Sequence, residues 1–289
     1  MKKHTQRSFR ESWDKEDYAK SRAKREGSSA PLPTELEIYE KYLKKAIGQK
    51  KNPKAVVLGA TPELRDLCLK HNCPVLAIDI SLKIINAMNQ VMVFHKPDKD
   101  LIMRCDWLQM DRYLKENNFD VILADVCLNN IAADEHLNLL KILNKLLRPG
   151  SYLITRNAVF LPERKIRSIR EILDEYKKGK NNWLGLLLEL GYYSPWSNKV
   201  YHSSNKRFNF SKVGQLIKKS LEDKIISLSE KDREKIENLL KHGGKITHIT
   251  FPKKDFESLI RKYFWIIGVG ASEKYIFCQY APIYFLKKK

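Results

Sequence analysis

The chain has 289 residues, enough for one large domain or two small ones. Hydrophobic side chains make up 43% of it, which supports a sizeable core and excludes wholesale disorder. The 54 Lys and Arg against 34 Asp and Glu leave a formal charge of +20, which excludes an acidic solvating tail and invites anionic partners without proving one.

Strands and helices alternate from the first third of the chain onward. After a polar stretch, Ser28-Ser29-Ala30-Pro31-Leu32-Pro33 breaks the chain. Thr34 and Glu37 read as a capping box that opens an amphipathic helix to about Ile47. Ala55-Val56-Val57-Leu58 is a first strand, and Pro62 to Lys70 a helix with proline in its first turn. Pro74 to Asp79 is a second strand, followed by a helix that Ser81 caps and that runs to about Val93. Asp100 to Arg104 and Phe119 to Ala124 are the third and fourth strands, with a helix or turn from Trp107 to Glu116 between them. A helix from about Asp134 to Leu147 ends at Arg148-Pro149-Gly150, and Ser151 to Thr155 is the fifth strand. Near-continuously apolar strands that alternate with helices predict a parallel sheet covered on both faces.

Beyond it, residues 157–263 read as mostly helical, with an aromatic loop at Gly191 to Trp196 and Tyr201 to Phe210 and helices at about 211–226, 229–241 and 252–263. Phe264 to Val269 and Tyr275 to Phe285 are two more strands. The five residues between them are too few for a parallel crossover, so the pair is an antiparallel hairpin.

The charge is unevenly distributed. Residues 1–54 carry +7, residues 55–156 are balanced, and residues 157–289 carry +13, which hints at a division of labour. The five cysteines, at positions 68, 73, 105, 127 and 278, form no C-x-x-C pair, so neither a disulfide framework nor a zinc site is expected. No apolar run has the length of a membrane span, and the charged first residues lack a secretory h-region, so a cytoplasmic location is expected.

The residues that carry chemistry sit where the strands end. Gly59 follows the first strand, and a glycine there lets a ligand approach backbone N–H groups at the next helix start. Asp79 ends the second strand, where a carboxylate can accept from both hydroxyls of a ribose. Asp106 follows the third strand and Asp125 the fourth. Open α/β sheets bind ligands outside the carboxyl ends of their strands. For any one of these carboxylates a helix cap or a solvated loop residue is the stronger reading; four such positions in succession favour a nucleoside ligand. The dinucleotide G-x-G-x-x-G and the phosphate-binding G-x-x-x-x-G-K-[ST] are both absent.

In this arrangement the chain resembles the class I S-adenosylmethionine-dependent methyltransferases. Val57-Leu58-Gly59-Ala60-Thr61-Pro62-Glu63 looks like their first motif, Ala77-Ile78-Asp79 their second, Arg104-Cys105-Asp106-Trp107 their third and Ile122-Leu123-Ala124-Asp125 their fourth. Leu147-Arg148-Pro149-Gly150 resembles the turn before their fifth strand, and the final hairpin resembles their reversed seventh strand. The resemblance covers about residues 55–156 and 252–285. It implies that Gly59, Ala60 and Thr61 lie against the methionine moiety of S-adenosylmethionine, that Asp79 holds the ribose hydroxyls, and that Ile80 packs on the adenine. Asp106 would accept from the adenine amino group with Trp107 beside it, and Asp125 would sit near the sulfonium and the acceptor. The first motif departs from the family in having one glycine where members commonly show two or three, so Thr61-Pro62 must shape the turn by other means.

Methyl transfer needs alignment and desolvation more than a fixed set of catalytic groups. Asp125, Asn129 and Asn130 are the acceptor-facing candidates, with Asp125 able to take a proton from a hydroxyl or amine. Cofactor positioning or loop capping explains them equally well. His136 reads as a surface residue; Arg156 reads as a ligand for an acidic acceptor or a solvated side chain. Trp13, Tyr18 and Tyr39 of the N-terminal arm form a lid or pack on the sheet. The aromatic residues from Trp183 to Phe208 read first as core, then as an acceptor pocket, and last as an RNA-stacking surface.

The expected fold is α/β, a doubly wound, mostly parallel seven-stranded sheet with an antiparallel C-terminal hairpin and a helical insertion. Its parts are a basic arm and lid helix (1–48), the cofactor-binding half (49–156), a helical and aromatic insertion on the acceptor side (157–251), and a last helix with the closing hairpin (252–289). The expected function is methyl transfer from S-adenosylmethionine to an oxygen or nitrogen of a small molecule, with no metal and no membrane partner. A nucleic-acid methyltransferase that uses the basic flanks and a non-catalytic nucleotide-binding scaffold are the alternatives.

Overall fold

The computed structural model describes residues 30–242 and 247–289. Trp13 and Tyr18, with the lid assigned to them, lie outside the described residues. Helix α1 (Pro33–Ile47) precedes β1 (Ala55–Leu58), α2 (Pro62–Lys70), β2 (Val75–Asp79), α3 (Leu82–Asn89) and β3 (Asp100–Arg104). A 3₁₀ turn (Trp107–Arg112) leads to β4 (Phe119–Asp125), and α4 (His136–Leu146) leads directly into β5 (Leu147–Arg156). These strands stand in the order β3-β2-β1-β4-β5 and all run parallel. The final strands β9 (Phe264–Gly270) and β10 (Ile283–Lys288) complete the seven-stranded sheet, with β10 antiparallel to both β5 and β9.

The centre of the sheet is apolar on both sides. Every residue of β1 and β4 is buried, which is what continuous aliphatic runs require when helices cover both faces. On one face, Tyr39, Leu43 and Ala46 of α1 and Leu64 and Leu67 of α2 pack on Val57, Leu123 and Phe285. On the other, Leu139, Leu140 and Leu143 of α4 pack with Leu58, Ile122 and Leu153.

Between β5 and β9 the described residues add α5 (Ile169–Lys177), α6 (Trp183–Tyr193), a short α7 (Ser197–Val200), α8 (Phe210–Glu222) and α9 (Glu230–His242), with a small antiparallel sheet of β6 (Tyr201–His202), β7 (Arg207–Asn209) and β8 (Thr247–Ile249). Helix α10 (Lys253–Ile260) returns the chain to the main sheet. The central aromatic residues of this part are core, and Trp183 and Tyr201 are half-buried against it. Tyr192, Tyr193 and Phe208 are buried, and the rings of Tyr192 and Phe208 lie 4.5 Å apart. Gly191 permits this, because a Cβ there would stand 2.3 Å from the Phe208 ring.

Several local expectations are corrected. Glu35, not Glu37, reaches back to the N-terminus of α1 and accepts the Leu32 N–H at 2.8 Å, because the helix is capped at Leu32 and starts at Pro33, two residues earlier than a Thr34 cap implies. Thr34 instead shares a 2.6 Å hydrogen bond with Ser272. Helix α3 stops at Asn89, and Asp66 accepts the Val93 and Phe94 N–H groups at 2.9 and 2.7 Å. Gly191 to Tyr193 belong to α6 rather than to a loop, and residues 276–280 form a 3₁₀ turn before β10. Among the described residues no helix is long and apolar enough to cross a membrane.

Candidate functional site

The strand register sets the level of the site. Leu58 pairs with Ile78 on one side and Ala124 on the other, so the next residues along, Asp79, Gly59 and Asp125, form one row across the carboxyl ends of β2, β1 and β4. Arg156 of β5 pairs with Asp125 and extends the row. The strand order reverses between β1 and β4, the crevice where open α/β sheets take ligands.

Gly59 has φ +83°, a conformation that a side chain would strain, and its N–H donates to the Ile78 carbonyl at 2.8 Å. The Trp107 indole N–H donates to the same carbonyl at 2.7 Å, which lays the ring across the turn. A Cβ on Gly59 would stand 3.7 Å from the Trp107 ring and 3.8 Å from Asp79 Oδ2. Gly59, Asp79 and Trp107 are thus brought together. Asp79 Oδ1 accepts the Ser81 N–H at 2.9 Å, and Ser81 Oγ in turn caps α3. Burial pushes the Asp79 carboxyl up to about 6, and backbone N–H groups of Ser81 and Ile80 offset only part of that rise.

Around this centre, Ala60 is buried against Ile84, Ile85 and Met88, and Thr61 and Pro62 start α2. Ile80 is half-buried, and its carbonyl accepts from Arg104 Nε at 3.2 Å. Asp106 Oδ1 accepts the Leu108 N–H at 3.0 Å and so caps the 3₁₀ turn that carries Trp107.

The other end of the row is a buried ionic knot. Arg156 donates from Nε to Asp125 Oδ1 at 2.6 Å and from Nη2 to Oδ2 at 3.0 Å, and its Nη1 meets Glu35 of α1. Tyr39 donates to the Ala124 carbonyl at 2.8 Å and accepts the Arg156 N–H at 2.9 Å. Burial disfavours the guanidinium charge, but the carboxylates of Asp125 and Glu35 outweigh it and hold the proton more tightly than in an ordinary arginine. Arg156 therefore neither fans into solvent nor waits for an acidic acceptor. Tyr39 packs on the sheet as part of the same knot.

Directly after Asp125, Val126 has φ +52°, rare for a β-branched residue and a form of strain found at functional sites. Asn129 donates to the carbonyls of Ala158 and Ile249 at 3.0 and 2.7 Å and accepts the Ala158 N–H at 2.9 Å, pinning the insertion to the end of β5. Asn130 is half-buried, with its N–H on the Cys127 carbonyl at 3.0 Å. His136 is not on the surface: it is 1% exposed, its Nδ1 lies 2.9 Å from the Ala132 carbonyl, and burial pushes its pKa down to about 4. Sequence reasoning missed Glu35, whose one signal was its place three residues after Leu32, and the Arg156–Asp125 pair, which has no local signature.

No protein-family model matches the chain, and no curated protein does. Solved structures do match. The chain is similar to the N-methyltransferase NodS from Bradyrhizobium japonicum WM9 in complex with S-adenosylhomocysteine, at 10% identity over 98% of each chain with a TM-score of 0.51. It is similar to the 1,6-didemethyltoxoflavin-N1-methyltransferase of Burkholderia thailandensis, bound to 1,6-didemethyltoxoflavin and S-adenosylhomocysteine, at 12% identity over 98% of this chain and 88% of that one, with a TM-score of 0.54. A protein described as a putative zinc-dependent alcohol dehydrogenase from Rhodobacter sphaeroides aligns at 15% identity over 98% and 99% of the two chains, with a TM-score of 0.58. Identities this low speak for the fold alone. The strand order, the reversed β10 and these likenesses agree: the chain has the fold of the class I S-adenosylmethionine-dependent methyltransferases.

Proposed function

We propose that this protein transfers a methyl group from S-adenosylmethionine to a small molecule. The observation that carries the reading is the meeting of Gly59, Asp79 and Trp107 at the switch point, with Asp79 Oδ2 turned toward a glycine whose backbone leaves the approach open. These residues fit an adenosyl group. A desolvated carboxylate is a strong acceptor for two ribose hydroxyls, and the indole is a flat surface for a base. Ala60 and Thr61 line the turn beside it, and Ile80, Asp106 and Trp107 would border the adenine.

When bound, S-adenosylmethionine supplies the electrophilic methyl carbon, and the protein's share is alignment and exclusion of water. Asp79 would fix the nucleoside. Asp125, held by Arg156, would keep the rim rigid, while Asn129 fixes the wall that the insertion adds. Asn130, half-buried beside that wall, is the best-placed residue to touch the acceptor. With Asp125 engaged by Arg156 and Asn129 by backbone groups, this reading assigns no strong base, which suits an acceptor that is already nucleophilic.

The buried state of Tyr192, Tyr193 and Phe208 favours a small acceptor over RNA, since buried rings give bases no platform. The neighbour crystallised with 1,6-didemethyltoxoflavin supports the same choice by analogy. Calorimetry with S-adenosylmethionine and S-adenosylhomocysteine tests the reading. Both should bind, and Asp79→Ala should abolish or severely weaken the binding. No binding by the wild type, or unchanged binding by the variant, favours a non-catalytic scaffold.

A further inference from the structure

Glu35, in the first turn of α1, is 1% exposed, and its two carboxylate oxygens have different surroundings. Oε2 accepts the Leu32 N–H and meets Nη1 of Arg156. Oε1 is buried and has no hydrogen-bond partner. A buried charged oxygen left without a donor is costly.

Asp125, Arg156 and Glu35 are all almost wholly buried and meet in one cluster. Cys278, whose thiol burial and the Glu35 charge push up to about 11, adds no cation. A buried carboxylate with one oxygen unused calls for a hydrogen-bond donor, and a cation that donates answers its charge as well.

Its position says where that cation comes from. Arg156 is the register partner of Asp125, which stands in one row with Gly59 and Asp79. Neighbouring strands lie about 4.8 Å apart, so β2 to β5 covers about 14 Å of rim. A nucleoside held at Asp79 and carrying an extended substituent on its 5′ carbon would run along this rim toward Arg156 and Glu35. The geometry points to Glu35 Oε1 as the acceptor for the primary ammonium on the aminoacyl tail of the methyl donor. The inference rests on the methyl-donor reading and goes beyond it, because Glu35 lies outside all the motif-like segments.

Calorimetry with three ligands separates the two ideas: S-adenosylhomocysteine, its deaminated analogue, and 5′-methylthioadenosine, which lacks the whole aminoacyl tail. Wild-type protein should bind all three, S-adenosylhomocysteine most tightly. Glu35→Gln keeps an oxygen for Leu32 and Arg156 but replaces the unused oxygen with an NH₂ group. It should weaken S-adenosylhomocysteine by about tenfold to a hundredfold and leave 5′-methylthioadenosine unchanged. Equal losses for both ligands, or no loss for either, would overturn the inference. If the variant does not fold, the wild type still decides: the deaminated analogue must bind at least about tenfold more weakly than S-adenosylhomocysteine, and equal affinity rejects the assignment. If none of the three binds the wild type, the methyl-donor reading falls, and the inference with it.

Discussion

Asp125 and Arg156 are register partners at the carboxyl ends of β4 and β5, and their side chains close a two-point ion pair at 2.6 and 3.0 Å. A strand-end carboxylate that would otherwise look out over the crevice is turned instead into a brace between the sheet and α1. Breaking such a pair leaves a charge stranded in the interior. Asp125→Ala should therefore lower unfolding stability by about 3–5 kcal/mol, measured by urea titration. A loss below about 1 kcal/mol would mean that the knot does not form in solution.

Asp79 opposes folding when ionised. Its folded pKa, about 6, lies above the ordinary 3.8, because burial disfavours the charge. The unfolded chain therefore releases this proton at lower pH than the folded one. As pH rises from about 4 through 6, the wild type loses stability that Asp79→Asn keeps. At pH 7.5 the variant should be the more stable by roughly 1–3 kcal/mol, and the gap should close by pH 4. A gap that is constant from pH 4 to 7.5 would contradict the shift. Ribose binding needs the ionised acceptor, so nucleoside affinity in the wild type should fall as pH drops through 6.

Val126 holds φ +52° immediately after Asp125. The strain costs about 1–3 kcal/mol, comparable to what its half-buried side chain contributes. Val126→Gly should consequently unfold within about 1 kcal/mol of the wild type, whereas an ordinary half-buried valine replaced by glycine would cost more. A loss above 2 kcal/mol would show that the backbone there is relaxed.

At Gly191 the opposite constraint applies. A methyl group would stand 2.3 Å from the Phe208 ring, which is locked between Tyr192 and Phe210. Gly191→Ala should destabilise the insertion by about 1–3 kcal/mol despite alanine's better helix propensity. Thermal denaturation that is unchanged or raised would show that α6 and β7 are not in contact.

Much of this architecture was legible in the chain because its signals are local. The aliphatic runs of β1 and β4 and the glycine after Leu58 depend on neighbouring residues and led to the parallel strands; the reversed last strand was reached from a link read as residues 270–274, whereas the link observed is residues 271–282 and holds a 3₁₀ turn. Residues 191–193 misled, since Gly191 reads as a loop signal until Phe208 is seen to need the space. His136 misled too: a polar residue opening a helix reads as exposed, and it is the Phe251 ring, 4.8 Å away and more than a hundred residues on, that helps cover it.

The sequence by itself determined the order of the elements in the main sheet and the positions of Gly59, Asp79, Asp106 and Asp125 at strand ends, because strand and turn preferences act over a few residues; it missed the small sheet of β6, β7 and β8. Only the tertiary structure decided which of those carboxylates faces the crevice and which is spent inside. That choice depends on Arg156 and Glu35, which are 121 residues apart, and burial turns their ordinary charges into partners that must find each other.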